Sequence, residues 1–358
     1  MTEAQLLLIA SIIEGVLVVG IVSVLVTHRL YAARRRRRMH EDRDRITAAL
    51  RQWLVGTDTD GVALRETMET RHSAGAVYQL QLAVATHVPL AQREELAELL
   101  RRGTWSSHIT RQARSLWWWR RLDAARLLSL MATPNDARVI GQLVRDSHPA
   151  VQMAAVRCLL RVPSDSLIAT VLDRLPRQPV TVRVIQGETL HQLWTATQPL
   201  LSERLRRHNA PADHLDVWIN VAETIGAPEA LPPIIALHTH RDANVRIAVT
   251  KALRHYYQPG VAEALSTLLR DADWRVRGQA ARGLGALNVQ SAIPQLRDAL
   301  HDDTWWVRFR AGLALAQMHE PGRRALREAR AMSDRFASEM AVMISGLSEG
   351  SITELTEV

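Results

Sequence analysis

Tryptophan and arginine are the side chains best placed to do chemistry in this sequence, and that chemistry is recognition. Six of the ten tryptophans, Trp117, Trp118, Trp119, Trp274, Trp305 and Trp306, stand beside Arg120, Arg121, Arg275, Arg277, Arg308 and Arg310. A planar guanidinium stacks on aromatic faces, and both residue types are enriched in interface hot spots. Trp274, Arg277, Trp305, Trp306, Arg308 and Arg310 are therefore the expected partner-binding residues, with Trp274 and Trp305 side by side on one edge. The competing reading is that the rings plug gaps between packed helices.

Other patterns carry less. An Asp five residues before a Val (Asp146, Asp271, Asp302) and an Arg just after one (Arg183, Arg246, Arg277, Arg308) recur. They read either as a charged binding stripe or as an Asp–Arg ladder joining successive units. Fourteen histidines are scattered, and no HExxH, Gly-rich phosphate loop or GxSxG is present. The single cysteine, Cys158, excludes a disulfide framework and a Cys-based zinc site. The expectation is a protein without catalytic residues, cofactor or metal.

These side chains need elements to hold them. Of 358 residues, 47% are hydrophobic and 23% charged, so the chain is neither disordered nor low-complexity. Residues Leu6–Val26 contain one ionisable group, Glu14, and fifteen Leu, Ile or Val. Twenty-one helical residues span about 31 Å, one hydrocarbon thickness. A transmembrane helix over 6–28 is therefore expected. The run Arg34, Arg35, Arg36, Arg37 and Arg38 follows it, and by the positive-inside rule this places residues 1–5 outside and the remainder in the cytoplasm of a bacterial inner membrane. Ser11, Glu14 and Gly15 share one face of that helix and would pack on another span, of a partner or of a second copy. Contact of the arginines with anionic lipid would follow. Residues 29–45 hold eight arginines against Glu41, Asp42 and Asp44, so much of the formal +8 charge sits there and nucleic-acid binding gains little from it. A basic helix over 29–55 and a helical cap over 56–104 complete the first part.

From residue 105 to 347 the sequence repeats with a period of about 31 residues. Trp274-Arg275-Val276-Arg277, then Ala280 and Leu284, is matched by Trp305-Trp306-Val307-Arg308, then Ala311 and Leu315. Val245-Arg246-Val249-Leu253, Val182-Arg183 and Val151-Ala155-Leu159 fit the same frame, and a unit around Val217 and Val221 departs from it. Apolar positions at i, i+4 and i+8 make one helix face, so each unit is a helix pair burying its neighbours' faces. Ala280, Ala281, Gly283, Ala311 and Gly312 permit close approach.

The segments Asp271–Gly285 and Asp302–Leu315 resemble HEAT repeats, of the short bacterial kind also found in phycobilisome lyases. The resemblance implies an all-α fold, a HEAT-like α-solenoid preceded here by a transmembrane helix, and a binding scaffold in place of an enzyme. Residues 348–358 form a tail. Some HEAT-repeat enzymes, the deoxyhypusine hydroxylases, bind iron through His-Glu pairs; His40-Glu41 and His319-Glu320 stand in unrelated settings and do not build such a site. The expected function is an adaptor for a protein partner, itself membrane-associated. The alternatives are a nucleic-acid-binding solenoid and a lyase-like enzyme.

Overall fold

The computed structural model describes residues 40–357 except 70–73, 104, 208 and 259, with scattered positions between 20 and 37. Every element among the described residues is helical. The chain forms two compact units, Met1–Val162 and Pro163–Val358.

The first unit holds α1 (residues 40–54), α2 (Val62–Glu69), α3 (Ala74–His87), α4 (Arg93–Arg101), α5 (Trp105–Ala113), α6 (Trp118–Met131), α7 (Ala137–Val144) and α8 (Pro149–Arg157). Helix α6 is its centre, packed on α3, α4, α5, α7 and α8. Its alanines Ala124 and Ala125 are fully buried and let neighbours approach, while Leu50, Leu64, Leu80, Leu96, Leu100 and Leu128 fill the core.

The second unit runs α9 (Asp165–Arg174), α10 (Val180–Gln192), α11 (Trp194–Leu205), α12 (Ala212–Ile225), α13 (Leu231–Ala236), α14 (Ala243–Leu253), α15 (Val261–Leu268), α16 (Trp274–Ala286), α17 (Ile293–Asp298), α18 (Trp305–Gln317), α19 (His319–Arg330), α20 (Arg335–Ser345) and α21 (Glu349–Glu357). The second helices of successive pairs, α10, α12, α14, α16, α18 and α20, pack in a row. The expected apolar positions make that row: Val245, Val249, Val276, Ala280, Leu284, Val307, Ala311 and Leu315 are buried. Asp242, Asp273 and Asp334 cap α14, α16 and α20 by accepting a backbone N–H, which satisfies a donor the helix cannot. The out-of-step unit is α11–α12, where Pro199 lies inside α11 and Trp218 is a core residue donating Nε1–H to the Leu172 carbonyl at 2.9 Å. Gly285 shows how tightly α16 meets α18: a Cβ there would come within 2.7 Å of the Ala314 Cα.

The single-pass inner-membrane placement is corrected here. Among the described residues no helix is long and apolar enough to cross a membrane. The longest helices with both ends described have 14 residues, or about 21 Å against the roughly 30 Å needed. Residues 40–54 alternate buried apolar positions (Ile46, Leu50, Trp53) with charged ones, the pattern of a helix packed on a protein core. Residues 6–19, with Ser11, Glu14 and Gly15, lie outside the described residues, as do Arg35, Arg36 and Arg38; Arg34 and Arg37 are exposed helical positions. The cytoplasmic orientation goes with that placement, and the lipid contact and the packing of one span on another have no support among the described residues.

Candidate functional site

Recurring Asp and Arg pair in both units, and in the second they form a ladder. Arg246 donates Nε–H and Nη2–H to the two carboxylate oxygens of Asp271 at 2.6 and 2.7 Å, and Arg277 does the same to Asp302 at 2.6 and 2.8 Å. Arg121 and Asp146 make the equivalent pair in the first unit. Each arginine also donates Nη1–H to carbonyls of its own turn, as Arg277 does to Asp271 and Ala272. Burial pushes the Asp302 carboxyl up. The Arg277 hydrogen bond, the Thr304 N–H and the guanidinium charge outweigh it, so the carboxyl titrates below its ordinary value. Asp271 and Asp146 are held down in the same way by Arg246 and Arg121.

Arg277, expected at the binding edge, is thus turned inward. Arg308 is too. It is only 7% exposed, bonds the Asp302 and Asp303 carbonyls, and lies 4.7 Å over the Phe336 ring. No carboxylate meets it among the described residues, and its buried Nε has no partner.

The three expected tryptophans face outward, and Arg310 is half-buried. Trp274 is 44% exposed and Trp306 53%, with Trp305 similar. Trp305 stacks on Phe309 at 4.9 Å and meets Trp306 edge-on at 4.8 Å. Trp274 and Trp306 instead share an open groove of about 290 Å³ across α14, α16 and α18. Ile247, Lys251, Arg275, Gly278, Gln279 and Arg310 complete its lining, which holds three cations and no carboxylate. Arg275 is tied to Asp273 at 2.7 Å. Lys251, the chain's sole lysine, is exposed and makes no ion pair among the described residues.

Beside the groove, Arg282 feels the like charges of Arg254 and of Arg310. Burial, then the charges of Arg254 and Arg310, push the Arg282 guanidinium below its usual value, and burial does the same to Arg310. Arg254 is offset by Glu223 at 3.7 Å. Arg282 donates to the Thr356 carbonyl at 2.7 Å and Arg310 to the Leu355 carbonyl at 3.1 Å. The sequence reading did not find Lys251, Arg254 or Arg282. A signal existed for two of them, since Lys251 and Arg282 lie one period apart.

A second aromatic cluster sits in the first unit. Trp118 stacks on His148 with centroids 3.9 Å apart, and Trp117 on Trp119 at 4.6 Å; all three tryptophans are exposed.

The model of HEAT repeats matches residues 199–276 and 261–342. In this part of the chain the fold is a HEAT-repeat α-solenoid. No curated protein matches the sequence. Among solved structures, a Kap95:Nup1 complex aligns at 12% identity over 85% of this chain and 47% of that one, with a TM-score of 0.51. Human deoxyhypusine hydroxylase aligns at 18% identity over 74% and 98%, TM-score 0.29. The CpcE and CpcF complex of phycocyanin lyase from Nostoc sp. PCC7120 aligns at 14% over 76% and 94%, TM-score 0.26. At these identities the likeness to Kap95 shows the fold alone.

Proposed function

We propose that this chain is a non-catalytic HEAT-repeat scaffold that holds a partner protein against α14, α16 and α18. The observation that carries the reading is the pairing of Trp274 and Trp306 across one open groove with Lys251, Arg275 and Arg310. Trp218 is the control within the same unit: a structural tryptophan here is 3% exposed with its N–H satisfied. Trp274 and Trp306 leave large apolar faces in water instead, which in a folded protein marks an interaction surface. Arg310 belongs to this surface, whereas Arg277 and Arg308 hold repeats together.

The test is a Trp274→Ala/Trp306→Ala double variant used as bait beside the parent. Loss of a captured protein, with the helical signal and melting temperature nearly unchanged, supports the scaffold reading. A stability loss above about 3 kcal/mol means the rings are core. Undiminished capture rejects this groove.

A further inference from the structure

Helix α21 lies against the same face, and its manner of contact says what the face recognises. The sequence EGSITELTE carries three glutamates and no basic residue. The last carbonyls of a helix have no partner within it and carry the negative end of its dipole. Here Arg310 donates to Leu355 and Arg282 to Thr356, so two arginines from successive repeats cap the C-terminal turn of α21. Arg323 adds an ion pair to Glu349 at 2.6 Å. Arg310 also lines the tryptophan groove, so the contact and the groove share a wall.

The helix is held lightly. None of its residues from Glu349 to Thr356 is buried, and Leu355 is exposed. A helix with so little apolar area covered detaches at low free-energy cost. Its C-terminal turn covers two cations, Arg282 and Arg310.

We infer that the α14–α16–α18 face takes an acidic, helix-forming segment of a partner protein, docked by its C-terminal carbonyls on Arg282 and Arg310, and that α21 is a tethered stand-in which the partner displaces. The inference rests on the scaffold reading and specifies the ligand chemistry of that surface. Affinity for a partner then scales directly with the fraction of time α21 is undocked.

The probe is a fluorescein-labelled peptide with the sequence of residues 347–358, titrated into the full chain at about 150 mM salt, where long-range attraction is screened. The parent chain should bind it weakly. Thr353→Pro, which breaks α21 in place, should bind about tenfold tighter, and Arg310→Glu in that background should lose the gain. A peptide with its three glutamates replaced by lysine should not bind. In the unmodified chain, backbone amides of residues 349–357 should exchange faster once peptide is saturating.

Equal affinity for the parent and Thr353→Pro, or unchanged exchange in the parent at saturation, overturns the inference. Preference for a labelled single-stranded oligonucleotide over the peptide also overturns it and makes the arginines a phosphate surface. The scaffold reading fails separately: it falls if the double tryptophan variant keeps its partner, and stands if that variant loses the partner while the peptide fails to bind.

Discussion

Arg275 and Arg277 stand two positions apart on α16 and do different work. Arg277 bridges to the next repeat through Asp302, with both side chains largely buried, whereas Arg275 reaches back to Asp273 in solvent. Arg277→Ala strands a buried carboxylate and should cost about 3 kcal/mol in denaturant unfolding. Arg275→Ala should leave the melting temperature unchanged, as exposed ion pairs contribute little. Asp123 offers a second residue-scale test. It is 8% exposed, and burial pushes its carboxyl up to about 6 despite Arg126 at 3.4 Å. A raised folded value makes the protonated form the stabilising one, in full below the ordinary value near 3.9 and lost as pH rises towards 6. Asp123→Asn should therefore gain about 2 kcal/mol at pH 7 and nothing near pH 3, compared by urea titration. The ladder aspartates carry the opposite sign. Their folded values are depressed, so their contribution is complete above about 3.9 and disappears as pH falls through the lower folded value.

At the scale of elements, most of the helices were legible because a repeat must present the same face at each step. Trp274 and Trp305, Val276 and Val307, Ala280 and Ala311 announced α16 and α18 together, and Pro294 falls in the first turn of α17, where a missing N–H costs little. Roles on the polar face were less legible. The sequence shows Arg277 and Arg308 as the same residue in the same frame, yet only one meets a carboxylate, and that depends on the following repeat. The docking of α21 was not legible at all: its two hydrogen bonds join residues 74 and 45 positions apart, and nothing periodic predicts them. The single-pass placement rested on the composition of Leu6–Val26, most of which lies outside the described residues, and among the described residues no helix is long and apolar enough to span. Close helix approach was legible at Gly312 and missed at Gly285. Adding one methyl at Gly285 drives Cβ into the backbone of α18. Backbone cannot rotate away as a side chain can, so Gly285→Ala should destabilise by about 2 kcal/mol in thermal unfolding. Gly278→Ala, which meets nothing within 4 Å, should be neutral or slightly stabilising.

At the scale of the whole molecule, the Asp–Arg ladder joins neighbours and so has an end. Stability in a stacked-repeat array is a sum of unit and interface contributions, which makes a missing interface contribution local. In the second unit the ladder runs from Arg246 through Asp271 and from Arg277 through Asp302, then stops at Arg308. There a guanidinium stacked on Phe336 replaces the two-pronged ion pair, and a buried Nε goes unanswered. The interface of α18 with α20 consequently lacks the charge-assisted bonds that hold α14 to α16 and α16 to α18. Opening should begin at α19–α20 and reach α16 only in global unfolding. Hydrogen exchange followed by mass spectrometry checks this directly. Peptides from α20 should exchange well before those from α16, and lowering the pH from 7 to 3 should narrow the difference, because acid weakens the ladder and leaves the Arg308–Phe336 contact untouched. If α20 is as protected as α16 at pH 7, packing of Gly312 against Ile344 is sufficient without the ladder, and the ion pairs add little to the order of opening.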